Sequence, residues 1–159
     1  MGVSMKLNIL WPGRTKSKDL RAVQDLYLKR IQALVACQLI ETPEARGLAE
    51  RFSQKILERE ALGLEKHFKD DYIVCLFDEG KEMTSRDLAR FFERCSTNSF
   101  RAVTFVVGGF LGLAGRVLDK ADLRLSLSKM TFSHELCRIM LLEQIYRAIS
   151  IMKGSQYAK

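Results

Sequence analysis

The sequence predicts an α/β fold, a mostly parallel sheet covered by helices. Three observations carry that prediction. Short apolar runs alternate along the chain with longer segments whose apolar residues recur every three or four positions. Two of the runs, 72–77 and 102–107, are almost uninterruptedly apolar, as strands buried on both faces are. The joints between runs and helical segments are short and carry glycine, proline or small polar residues.

Residues 5–10 read as the first strand, ended by Pro12-Gly13. From Ser17 to about 36, Leu20, Val23, Tyr27, Ile31 and Leu34 fall on one helix face. Residues 37–42 form a second strand, closed by Pro43. The spacing of Leu48, Phe52, Ile56 and Leu57 predicts a long charged helix from Glu44 to about His67. Asp70-Asp71 breaks it before the strand 72–77, and residues 78–81 read as a turn or loop. Thr84 with Asp87 three residues on has the form of a capping box for a helix over 85–94. Residues 102–107 are the most β-branched run and belong at the centre of the sheet. A glycine-rich loop, a short helix around 116–121 and a fifth strand at 123–127 follow. Ser133 caps a last helix, His134 to about Met152, and residues 153–159 read as irregular. Ile139, Leu142, Ile149 and Met152 wrap round more of that helix than one core face needs, which implies a second buried surface and a homodimer.

With 159 residues, 47% of them hydrophobic, the chain has the size of one domain with a core. That single domain runs over 5–159, residues 1–4 being a scar or an alternative start before Met5. The longest uncharged apolar run, 102–114, has 13 residues and three glycines, short of the roughly 18 a membrane helix needs. No membrane segment is expected, and the protein reads as cytoplasmic. Cys37, Cys75, Cys95 and Cys137 form no paired motif, so reduced thiols are expected and no metal. The net charge of +7 is uneven: +5 over residues 1–36, −3 over 37–100 and +5 over 101–159. Such a distribution suits either a polyanionic partner met by one face or ordinary solvated helix faces.

Three strand-ending loops could carry chemistry. Residues 102–107 run into Gly108-Gly109-x-x-Gly112, where glycines let a ligand approach main-chain N–H groups. The spacing is not G-x-G-x-x-G and no acidic residue stands at 127–130, which argues against a nicotinamide oxidoreductase. Leu127-Ser128-Lys129-Met130-Thr131-Phe132-Ser133-His134 follows the fifth strand, and Phe77-Asp78-Glu79-Gly80 the third. Ligands of open α/β sheets sit beyond the carboxyl ends of the strands. The three loops are therefore either a nucleotide-sized pocket or three plain connections. Trp11 either covers the pocket edge or packs, and His67 reads as a solvated helix end.

Phe105-Val106-Val107-Gly108-Gly109, Gly112-Leu113, residues 125–132 (LSLSKMTF) and 141–148 (LLEQIYRA), with Asp78-x-Gly80-Lys81 and Met5-Lys6-Leu7, resemble the bacterial pseudouridine N3-methyltransferase family of the large ribosomal RNA. That family belongs to the SPOUT class, and the resemblance spans Met5 to the last residue. It implies a C-terminal trefoil knot, S-adenosylmethionine bound by the knot loops, and an active site at a homodimer interface. Carried over by motif, the cofactor contacts are Phe77, Gly108, Gly109, Gly112, Leu127, Ser128, Lys129, Met130, Thr131 and Phe132. The implied partner is the ribosome or its large-subunit RNA. Arg138, Tyr157 and Lys159 are candidates for holding RNA and, with His134, for the catalytic site, whose general base is not identified. The chain departs from the family at Ala158, where a histidine is usual, and at Gln156 and Ser133, where proline is, while Phe110 stands where proline or serine is common. The lost tail histidine leaves open an alternative reading, a non-catalytic ribosome-binding factor that keeps the cofactor pocket.

Overall fold

The computed structural model describes residues 5–98 and 100–158. Five parallel strands, β1 (Lys6–Pro12), β2 (Ala36–Thr42), β3 (Tyr72–Glu82), β4 (Val103–Val106) and β5 (Leu123–Ser126), form one sheet in the order β2-β1-β4-β3-β5. Helices α1 (Lys18–Gln32), α2 (Ser53–Glu65), α3 (Ser85–Thr97), α4 (Gly115–Asp119) and α5 (His134–Met152) connect them. The α/β prediction is borne out, with the β-branched run at the centre as β4.

Strand alternation sorts the helices onto two faces. Leu7, Ile9 and Trp11 of β1 and Phe105 of β4 point into a core shared with Ile31 of α1, Leu88 and Phe92 of α3, and Leu141 and Ile145 of α5. Leu10 and Val106 point the other way, against Ala61 and Leu64 of α2 and Val117 of α4. Trp11 is fully buried and donates its indole N–H to Glu41 at 3.2 Å, so it packs rather than covers a pocket.

Several elements differ from the sequence reading for identifiable reasons. The helix expected over 44–67 begins nine residues later, after a 3-10 turn at Glu50–Phe52. Gly47 at φ +76° interrupts the helical backbone there, and the Ala45 N–H is taken by Glu60 at 3.4 Å. The turn expected at 78–81 lies inside β3, which carries on to Glu82 through a shift in register: both Leu76 and Lys81 pair with Leu125. A Cβ on Gly80 would lie 2.6 Å from the Arg124 carbonyl oxygen, so this close approach of two main chains needs glycine. Residues 156–158 of the tail, read as irregular, form a 3-10 turn.

The apolar circumference of α5 is accounted for within one chain. The helix lies between α1 and α3, and Ile139, Leu142 and Ile149 are buried there, with Met152 packed against the same core. These residues are therefore no argument for a second interface.

The expected capping box is present. Thr84 Oγ1 accepts from the Asp87 N–H, and the Asp87 carboxylate accepts from the Thr84 N–H, both at 3.0 Å. Thr84→Ala should lower unfolding free energy by about 1 kcal/mol. Urea titration should show this as a lower midpoint at unchanged slope.

Candidate active site

Residues 76–78 of β3 and the loops following β4 and β5 meet towards the carboxyl edge of the sheet and line a cavity of about 420 Å³. A tight turn forms one wall. Gly112 N–H donates to Gly109 O at 3.0 Å, and Gly112 adopts φ +79°. Gly108 lies so close beneath the turn that a Cβ there would be 2.4 Å from the Gly112 carbonyl carbon. The opposite wall is the 127–132 segment. Ser126 Oγ is the pin between β3 and the loop after β5, within 3.0 Å of Asp78 O and 3.1 Å of Ser128 O, while Ser128 Oγ accepts from Met130 N–H at 3.0 Å.

Of the ten residues expected to meet a cofactor, nine line this cavity: Phe77, Gly108, Gly109, Gly112, Leu127, Ser128, Met130, Thr131 and Phe132. Lys129 is the exception. Its ammonium turns outward, 87% exposed, to Glu82 at 3.8 Å. Cys137 and Leu125 also line the cavity and were not anticipated. Cys137 stands three residues past His134 on the same helix face, a spacing that could have found it. Burial pushes its thiol up from the ordinary cysteine range, which disfavours the thiolate.

Among the lining residues the charged or titratable ones are Asp78, His134 and Cys137; neither lysine nor arginine is among them. Burial, followed by the nearby Arg138 charge, holds the His134 imidazolium below its usual range, leaving a neutral ring at neutral pH.

The remaining candidates lie elsewhere. Arg138, read from the sequence as an RNA-facing cation, is 1% exposed. It stacks over the Trp11 ring at 4.7 Å and donates to Pro12 O at 2.7 Å and Thr15 Oγ1 at 3.1 Å. Helical spacing puts it one turn beyond His134 and on the inner side of α5, which a charge count does not reveal. Tyr157 packs edge-on against Tyr146 at 4.6 Å, its hydroxyl within 3.4 Å of the Tyr27 hydroxyl and donating to Glu143 at 3.2 Å. Glu143 is nine residues along α5 from His134, roughly 13 Å away. Lys159 lies outside the described residues.

A parallel sheet with a ligand-sized, mostly apolar cavity at its carboxyl edge defines an open α/β protein with a ligand site where that class places it. The chain belongs to the SPOUT methyltransferase family, whose model, described as a predicted SPOUT methyltransferase, matches residues 5–158. It is 40% identical to the ribosomal RNA large subunit methyltransferase H of Clostridium botulinum (strain Kyoto / Type A2), covering 98% of this chain and all of that one. It is 37% identical to ribosomal RNA large subunit methyltransferase H 1 of Clostridium perfringens (strain SM101), with the same coverage. Among solved structures, a methylase-family protein from Haemophilus influenzae matches with TM-score 0.58 at 12% identity, over 98% of this chain and 71% of that chain. A protein from Legionella pneumophila, solved with SAM bound, matches with TM-score 0.52 at 12% identity, over 91% of this chain and 66% of that one. These two likenesses show the fold.

The two glycines make opposite demands, which mutation separates. Gly108→Ala drives a methyl group into main chain and should abolish ligand binding or folding. Gly112→Ala has open space and costs only the positive φ, about 1 kcal/mol. Calorimetric titration with S-adenosylhomocysteine and thermal melts of both variants check this ordering.

Proposed function

We propose that this chain transfers a methyl group from S-adenosylmethionine to N3 of a pseudouridine in large-subunit ribosomal RNA. On this reading it is a single domain over residues 5–159 that works in the cytoplasm as a homodimer. The observation that carries the reading is the chemistry of the cavity: about 420 Å³, glycine-walled and apolar, with no cation among its lining residues. A dinucleotide brings a pyrophosphate that calls for a phosphate-binding loop, whereas an adenosine-bearing sulfonium carries no phosphate. The relatives' names supply the substrate class, and the target atom follows from the resemblance in sequence.

S-adenosylmethionine brings an activated methyl group, so the protein has chiefly to align the acceptor and take up its N3 proton. Main chain at Gly108, Gly109, Gly112 and 127–132 would hold the nucleoside portion, with Phe77 and Phe132 as its apolar walls. Asp78, the lining carboxylate, suits the cationic end of the ligand. His134, neutral and at the cavity wall, is the residue best suited to accept the proton. The threading of the 107–114 and 127–133 loops into a knot is part of the same reading.

Three exposed apolar side chains support the homodimer. Phe110 and Met130, each 73% exposed, line the cavity, and Leu136, 38% exposed, lies on the first turn of α5. An apolar cluster at a cavity mouth is the kind of surface a second chain covers. Tyr157, docked on Glu143 and Tyr146 well along α5 from its own His134, would then serve a partner's cavity. Ala158 in place of the usual histidine favours the second reading, a ribosome-binding factor without methyl transfer.

Incubation of the protein with labelled S-adenosylmethionine and ribosomes should put label into the large-subunit RNA. Tight cofactor binding with no label would favour the factor. Light scattering at micromolar concentration should give a dimer, and a monomer would contradict the shared site.

A further inference from the structure

The first turn of α5 works on two sides. His134 and Cys137 face the cavity, while Glu135 and Arg138 grip the segment between β1 and α1. The Glu135 carboxylate accepts from the N–H groups of Lys16 at 2.5 Å and Ser17 at 3.2 Å. Arg138 holds Pro12 O and Thr15 Oγ1. The Thr15 hydroxyl in turn donates to Gln24 Oε1, and Arg21 Nε donates to Thr15 O at 2.9 Å. Gly13 N–H donates to Thr42 O at 2.7 Å, and its φ of +72° with the Glu44 side chain close to where a Cβ would lie favours glycine there.

Each residue from Pro12 to Ser17 is thus fixed by a hydrogen bond, Arg14 excepted. Arg14 is exposed and has no carboxylate partner among the described residues. The carboxylates nearby are already engaged: Glu44 by Lys16 at 3.6 Å and Arg46 at 3.4 Å, Glu41 by the Trp11 indole, Glu60 by the Ala45 N–H. Holding the segment requires burial of Thr15, Gln24 and Arg138, at 0%, 3% and 1% exposure, and leaves Arg138 Nε without a partner. Burying such groups is unfavourable. The segment is thereby held in one conformation before any contact is made.

The segment adjoins the cavity. β1 neighbours β4 in the sheet, and Pro12 Cγ lies 3.2 Å from where a Cβ on Gly109 would be. Across the cavity, β3 and the loop after β5 carry Asp78, Glu79 and Glu82 beside Lys81, Arg124 and Lys129, and Arg124 and Lys129 are paired there with Asp119 and Glu82. We propose that residues 12–17 form a rigid shelf on which Arg14 contacts a phosphate of the substrate RNA as the target base enters the cavity. A guanidinium fork suits that group, and a shelf fixed in advance lowers the ordering cost of the contact. The proposal rests on the RNA methyltransferase reading.

The test is steady-state methyl transfer to ribosomes by wild type, Arg14→Ala, Arg14→Lys, and Lys81→Ala on the opposite flank. Arg14→Ala should raise KM for ribosomes about tenfold or more, with kcat and S-adenosylhomocysteine affinity unchanged. Its log–log salt dependence should lose roughly 0.7 to 0.9, the share of one phosphate. Arg14→Lys should recover part of the loss, and Lys81→Ala should match wild type. A wild-type KM and salt slope in Arg14→Ala would overturn the proposal, as would an equal loss in Lys81→Ala. Absence of both RNA binding and transfer in the wild type would instead remove the methyltransferase reading itself.

Discussion

A side chain at position 108 would have nowhere to go. The turn 109–112 closes over Gly108 so tightly that even a methyl group would overlap Gly112 main chain, and that contact forms one wall of the cavity. The turn can close because β4 ends there, its last hydrogen bond running from Val107 N–H to Leu10 O at 2.9 Å. β4 can hold the centre of the sheet because its β-branched and aromatic side chains are buried on both faces. Strand order then does the rest: β3 and the loop after β5 come to the same edge, and Ser126 pins them together.

Local signals in the sequence were reliable where the determinant was itself local. The Ser133 and Thr84 caps mark the starts of α5 and α3 because a short side chain bonds N–H groups two or three residues away. The glycine and LSLSKMTF motifs located the cavity because the sheet's parallel order brings strand-ending loops together whatever their separation in sequence. Long-range effects were not legible. β3 runs on past Phe77 because β5 offers it a partner, and only pairing across about fifty residues reveals that. The segment 44–49 is loop because Ala45 bonds Glu60 and Gly47 takes positive φ, while its apolar spacing alone looks helical. Arg138 looks like a surface cation until the β1–α1 segment is seen to supply its acceptors.

That buried arginine links the site to the rest of the fold. Its guanidinium stacks on Trp11, itself fully buried, and satisfies a strand-end carbonyl, while four carboxylates, Glu135, Glu41, Glu44 and Glu60, lie close enough to act on it electrostatically. Burial pushes the Glu60 carboxyl up, and its oxygen lies 3.1 Å from where a Cβ on Gly109 would be. The same polar cluster thus backs the glycine turn, the first turn of α5 and the 12–17 segment. Cavity wall and neighbouring surface share one cluster of buried polar groups.

On this reading the cavity walled by the 108–112 turn and the 127–132 segment receives the methyl donor. Backbone amide NMR during titration with S-adenosylhomocysteine tests it most directly. The account predicts saturable shifts at Gly108, Gly109, Gly112 and residues 127–132, with the amino ends of the strands unchanged. Saturable binding whose shifts fall elsewhere, leaving those glycine amides unmoved, would contradict it.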